Sequence, residues 1–240
     1  EGSNLTASYR EWELSIWRET ETVREITGLD SGLLLDGLTI DVKDEELKVA
    51  VEAYHPNCRG LISGEGVSQT DRVNASGIKE LDARPRNRDP EMNSPGLLGE
   101  VIDIAGDRYP FLLFGGETRP TRIEASDGSV FLNPRRKRYP LPVFIRLTDF
   151  RKEFHPHTRT PKHFASLIEV HVGDVVRDVI VQMNEPFRFR SYTFYQASYE
   201  DLEGGVELSK FAVTRNVGRL LPYIATGMTV VGLIAHFLIS

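Results

Sequence analysis

Alternation of apolar and polar residues dominates the chain. "WELSIW" puts Trp12, Leu14 and Ile16 on one face of an extended segment, and "LTIDV" and "LKVAVEAY" repeat that period across the charged turn "KDEE". "YPFLLF", "TRIEA" and "VFL" follow, the last two joined by Ser126-Asp127-Gly128, whose Asp-Gly step favours a hairpin. "LPVFIRL", "SLIEVHV", "VVRDVIVQM" and "GVELSKFAV" complete the set, and "VHVGDVVRDVIV" reads as two strands around Gly173-Asp174. Glu11 to Arg24 also allows a short helix. The period predicts a mainly β protein, built as a sandwich or an open barrel.

Near the C-terminus the alternation gives way to a continuous apolar run. Leu220 to Ile239, "LLPYIATGMTVVGLIAHFLI", holds no Asp, Glu, Lys or Arg. At about 1.5 Å per residue a helix of this length spans roughly 30 Å, the thickness of a bilayer's hydrocarbon core. Pro222 falls in the first turn, where a missing N–H costs little. A transmembrane helix over 220–239 is predicted, in preference to a buried helix of a soluble domain. Arg215 and Arg219 then stand at the membrane rim, within reach of phosphate headgroups. His236 lies inside the span but close to its end, where an imidazole either reaches the headgroups or serves as an axial haem ligand or partner contact.

The segment Asn74 to Pro95, "NASGIKELDARPRNRDPEMNSP", is polar and proline-bearing and reads as a loop or linker. The expected organisation is therefore a β-rich region over 1–73, a loop over 74–95, a β domain over 96–214 and the membrane helix over 220–239. "EAYHPNCR" (Glu52 to Arg59) echoes "KEFHPHTR" (Lys152 to Arg159). In each, Pro forces the preceding His out of the helical region, so each ends a strand and opens a turn.

Composition narrows the chemistry. With 27% charged and 40% hydrophobic residues the chain is ordinary globular material, and its net charge of −6 argues against a general nucleic-acid binder. One cysteine, Cys58, excludes an intrachain disulfide, a thiolate zinc site and a Cys-x-x-Cys-His haem attachment. Residues 1–12, "EGSNLTASYREW", hold no apolar run of the signal-peptide kind. "PRRKRYPLP" (Pro134 to Pro142) gathers four positive charges and reads as a phosphate-binding loop, a solvated loop or a basic rim facing lipid headgroups, the membrane helix favouring the rim. His155, His157 and His163 lack the ordered spacing of a metal motif and read as solvated turn residues. Without a glycine-rich phosphate loop or an evident carboxylate pair, no catalytic residue and no metal site is predicted.

"FRFRSYTFYQASYED", Phe187 to Asp201, is the most aromatic stretch. Phe187 and Phe189 share one face of a strand, and the parity flips after Ser191. A turn or bulge is predicted near Arg190-Ser191, with two short strands that each give rings to a core rather than one aromatic stripe.

Taken with its flanks, this stretch resembles a known family. "VQMNEPFRFRSYTFYQASYED" resembles the Met-Asn-x-Pro, aromatic-strand and Thr-Phe-Tyr-Gln-x-Ser segment of the ResB (CcsB) family of cytochrome c biogenesis proteins. The matching positions are Asn184, Pro186, Thr193, Phe194, Tyr195, Gln196 and Ser198. "LPVFIRLTDFRKEFHPHTRTPKHFASLIEV" is similar to that family's strand, Asp-Phe and Pro-Lys-x-Phe-x-Ser segments. "VTRNVGRLLPYIATGMTVVGLIAHFLI" resembles the final membrane helix of one of its branches. Ser191 stands where the family usually has Gly, and Val217 where it has Pro. The N-terminal membrane helices normal in the family are not visible. The resemblance implies an extracytoplasmic domain on the outer, periplasmic side of a bacterial-type cytoplasmic membrane. It implies a scaffold or chaperone, not an enzyme by itself, paired with a CcsA-type partner. On this view haem is shared with the partner and presented to apocytochrome c. The alternative is an accessory interaction subunit of a membrane complex that binds no haem.

Overall fold

The computed structural model describes residues 2–18, 26–62, 71–156, 158, 161–201, 207–218 and 220–239. The chain divides into two compact units, Ala7–Tyr139 and Glu1–Thr6 with Pro140–Ser240. Two long strands, β1 (Gly2–Arg18) and β10 (Gly128–Phe154), pass from one unit into the other.

In the unit Ala7–Tyr139, β1 pairs with β2 (Thr27–Asp30). β3 (Thr39–Val42), β4 (Leu47–His55), β7 (Gly96–Ile102) and β8 (Arg108–Phe114) form a four-stranded antiparallel sheet. β5 (Cys58–Leu61) and β6 (Glu80–Ala83) make a separate pair, and β9 (Thr121–Ala125) pairs with the start of β10. The hairpin signal at Ser126-Asp127-Gly128 is answered by a two-residue loop, with Ala125 opposite Gly128 at φ +130°. Alternating positions from these strands, among them Leu14, Ile16, Val49, Val101, Phe111 and Leu132, close one core. Residues 11–18 are strand, which corrects the helical option for Glu11 to Arg24; residues 19–24 lie outside the described set. The polar segment 74–95 contains β6 and a short 3-10 turn at Pro90–Met92. Cys58 is buried, and burial, followed by the charge of Asp82, pushes its thiol up to about 12.

In the other unit, Phe144–Phe154 of β10 pair with β11 (Pro161–Val172), which pairs with β12 (Val175–Gln182). β13 (Phe187–Phe189), β14 (Tyr192–Asp201) and β15 (Glu207–Arg215) form a second antiparallel sheet. Val143, Ile168, Val170 and Val181 of the first sheet pack against Phe194, with Phe187, Phe189, Tyr192, Phe211 and Val213 around them. This is a β-sandwich, so the protein is mainly β as the alternation predicts. Gly173 takes the left-handed φ of +57° that the tight β11–β12 turn requires. β4 ends at His55 and β10 at Phe154, so both His-Pro steps do close a strand; His157 and Arg159 lie outside the described residues.

After β15 comes α1 (Leu221–Ile239), the single α-helix among the described residues. It is long and apolar enough to cross a membrane, and none of it is buried.

The basic run is not a loop. Residues 134–142 lie within β10. Arg135 Nε donates to Glu13 at 2.8 Å, Arg136 donates to the carbonyls of Tyr9 and Glu91 and stacks on Trp12, and Lys137 pairs with Asp30. These internal partners correct the reading of a rim facing lipid. Sequence spacing could not reveal acids so far away along the chain.

Candidate functional site

Besides a register shift between Glu153 and Phe154 at the end of β10, the sandwich has two β-bulges, and each of them falls inside a motif segment. In "LTDF" the register shifts between Leu147 and Asp149, leaving Thr148 as the extra residue, whose hydroxyl donates to the Leu167 carbonyl at 2.9 Å. In "YQAS" it shifts between Gln196 and Ser198, leaving Ala197 as the extra residue. An inserted residue reverses every later side chain across the sheet. Phe150 therefore follows Leu147 to the inner face, and Tyr199 follows Gln196. Their rings meet at 5.2 Å between centroids, and Phe164 from the Pro-Lys-x-Phe-x-Ser segment completes the trio at 6.4 Å from Phe150 and 5.5 Å from Tyr199.

Between this trio and the apolar core sits a buried polar clamp. Ser166 Oγ donates to Gln196 Oε1 at 2.6 Å, and Gln196 Nε2 donates to Ser209 Oγ at 2.8 Å and to the Ser198 carbonyl at 3.4 Å. The two serine hydroxyls lie 2.7 Å apart, so the three side chains form a closed ring. Ser166 is fully buried and Gln196 nearly so. A buried amide left unpaired costs about 1–3 kcal/mol, and here both its ends are satisfied. The clamp joins β11 to β14 and β15, hence one sheet to the other, through the motif residues Ser166 and Gln196.

The remaining motif positions shape the strand entry. Met183 and the exposed Asn184 form the turn between Gln182 and Glu185, whose backbones bond to each other, and Pro186 leads into β13. Thr193 and Phe194 are buried. Tyr195, on the opposite face, is 41% exposed, against 1% for Phe194. The predicted turn lies at Arg190-Ser191, where Phe189 opposes Tyr192 and Phe187 opposes Phe194. Because the chain folds back there, Phe187, Phe189, Tyr192 and Phe194 share one inward face after all, which corrects the expectation of no common stripe. Arg190 supplies the positive φ of that turn, +53°, and Ser191 does not need one. The turn therefore accommodates a side chain at Ser191.

Arg215 ends β15 opposite Tyr192 and stands over its ring at 5.7 Å. Arg219 lies outside the described residues. His236 is exposed in the last turn of α1, its ring against Phe237. Among the described residues no group of three or more His, Cys, Asp or Glu side chains is placed to hold a metal ion. A shallow pocket of about 210 Å³ on the outer face of the first sheet is lined by Arg151, Glu153, His163, Ala165, Leu167, Ile180 and Gln182. Phe150, Phe164, Ser166 and Tyr199 lie inside the quoted family segments but the sequence does not single them out, and Ser209 lies outside those segments. The signal present is a serine at an inward position between Phe164 and Ile168.

The region thus combines a β-sandwich cross-linked by a buried amide–hydroxyl ring with a following helix of membrane-spanning length. The ResB-like family model matches residues 111–209, from β8 into β15, and so bears out the resemblance carried by the motifs. The match takes in both bulges and the whole clamp and ends before α1. No curated protein matches the chain.

Proposed function

We propose that the chain is a membrane-anchored ResB-like subunit of the cytochrome c maturation system, acting as a scaffold that helps a CcsA-type partner deliver haem to apocytochrome c. On this reading α1 anchors the sandwich on the outer side of the cytoplasmic membrane. The supporting observation is that two separate family segments converge on one structural device: Ser166 and Gln196 bond across the sheets inside the matched region. A residue pair that joins two sheets serves rigidity, and a rigid platform suits presentation of one large ligand between two proteins.

The candidate haem contact on this chain is His236, which offers one imidazole. Haem iron held tightly takes two axial ligands, or one ligand with an enclosing pocket. The isolated full chain is therefore expected to hold haem weakly, and stable loading requires a membrane partner that supplies further ligands. Pyridine haemochrome assays on the full chain, purified alone and with its membrane partners, test this. Haem in the partnered preparation, reduced by His236→Ala, is the expected result. Stoichiometric haem on the lone chain, lost on His236→Ala, overturns the shared-ligand part. Haem absent from both preparations favours the second reading, an accessory interaction subunit, for which the exposed setting of His236 is the supporting observation.

A further inference from the structure

Several positive side chains in the 140–240 unit are neutralised by neighbours: Arg146 pairs with Glu169, Arg151 with Asp149, Lys152 with Glu207 and Lys210 with Glu200. Lys162, Arg177 and Arg188 are exposed without a described ion pair, and at the end of the β13–β15 sheet that leads into α1 two further arginines share that state but are also held over rings. There Arg190 and Arg215 are exposed, and no described carboxylate lies within ion-pair distance of either. Each instead stands over an aromatic ring, Arg190 over Phe189 at 5.4 Å and Arg215 over Tyr192 at 5.7 Å. Phe189, Tyr192 and Arg215 are consecutive cross-strand neighbours, so the two guanidiniums crown adjacent positions of one row. The Asn216 N–H donates to the Ser191 carbonyl at 2.8 Å, tying the turn that carries Arg190 to the segment entering the helix. Arg190 also holds a left-handed φ that an arginine adopts only against strain.

We propose that Arg190 and Arg215 form a clamp for the phosphate of an anionic phospholipid at the foot of α1. Rings behind the guanidiniums fix their planes and leave the N–H forks free, and such forks match phosphate oxygens two at a time. The occupant follows from position: α1 puts this end of the sheet beside a bilayer, where lipid phosphate is the abundant anion. The inference rests on the membrane-anchored reading of α1 and is independent of haem.

Native mass spectrometry of the full chain in detergent, titrated with phosphatidylglycerol or phosphatidylcholine, provides the test. The wild type retains phosphatidylglycerol in preference to phosphatidylcholine. The double variant Arg190→Gly, Arg215→Gln loses about 30-fold in phosphatidylglycerol affinity, and Arg146→Gln, which touches a paired arginine, loses none. Glycine adopts the turn's φ without strain, so Arg190→Gly alone melts no lower than wild type while binding less lipid, which separates binding from folding. Undiminished lipid affinity in the double variant overturns the clamp. So does equal affinity for phosphatidylcholine, or displacement of the lipid by equimolar inorganic phosphate. Fractionation of membranes distinguishes the two ideas. Wild-type chain in the soluble fraction removes the anchored reading and the clamp with it, whereas unchanged lipid binding by membrane-resident variants removes the clamp alone.

Discussion

Gln196 shows how much one side chain carries. Its carboxamide bonds to Ser166, Ser209 and the Ser198 carbonyl inside the sandwich. Gln196→Ala should cost about 1–3 kcal/mol in chemical denaturation, because the hydroxyls keep each other but lose the amide. Gln196→Glu should cost more at neutral pH and partly recover as acid protonates the buried carboxylate. If both variants unfold with the wild type, the ring is ornamental to stability. In the Ala7–Tyr139 unit the comparable group is Asp103, a buried carboxylate that accepts from the Ser126 hydroxyl and N–H, the Tyr109 hydroxyl and the Asp107 N–H. The Ser126 hydroxyl, more than the others, holds its pKa at about 2, below the ordinary 3.8. Because the folded value is depressed, the unfolded chain binds the proton first. The stabilisation is complete above about pH 4 and is lost as pH falls toward about 2. Melting temperatures measured across that window should drop for wild type and drop less for Asp103→Asn.

At the scale of elements, the β13–β14 hairpin separates two neighbouring rings by parity alone. Phe194→Ala opens a cavity between the sheets and should cost about 3–5 kcal/mol. Tyr195→Ala removes a ring already 41% exposed on the other face and should cost less than about 1 kcal/mol. Equal losses at both positions would mean that the register of β14 is wrong. Alternation and the family segments made these strands legible from sequence, and the turn at Arg190-Ser191 with them. The bulges at Thr148 and Ala197 were not legible. A bulge is set by which residue of the partner strand each position meets, and an unpaired sequence holds no record of that. Phe150 and Tyr199 reach the inner face only because those bulges reverse the parity of their strands.

For the whole molecule, α1 can be argued from what it lacks. No residue of the helix is buried, so neither core draws stability from it. A chain ending at Asn216 should stay in the soluble fraction with the same near-ultraviolet dichroism as the full chain. Aggregation of that product would mean that the helix covers a core. Within the full chain, Val230→Arg should cost about 2.5–3.5 kcal/mol of membrane insertion and shift the protein toward the soluble fraction.

Sequence alone determined the β class, the apolar C-terminal helix and the resemblance to ResB-like proteins, because each is written in local order: a period of two, a run without charge, and motifs with fixed spacing. Tertiary structure decided which charges are free. Arg135, Arg136 and Lys137 look like a basic rim in the sequence, yet Glu13, the carbonyls of Tyr9 and Glu91, and Asp30 occupy them. Arg190 falls at a turn the sequence predicts, yet only the fold shows that it takes a left-handed φ and stands over the Phe189 ring without a described acid beside it. The physical reason is that an ion pair depends on distance in space, and folding brings together residues far apart along the chain as readily as neighbours.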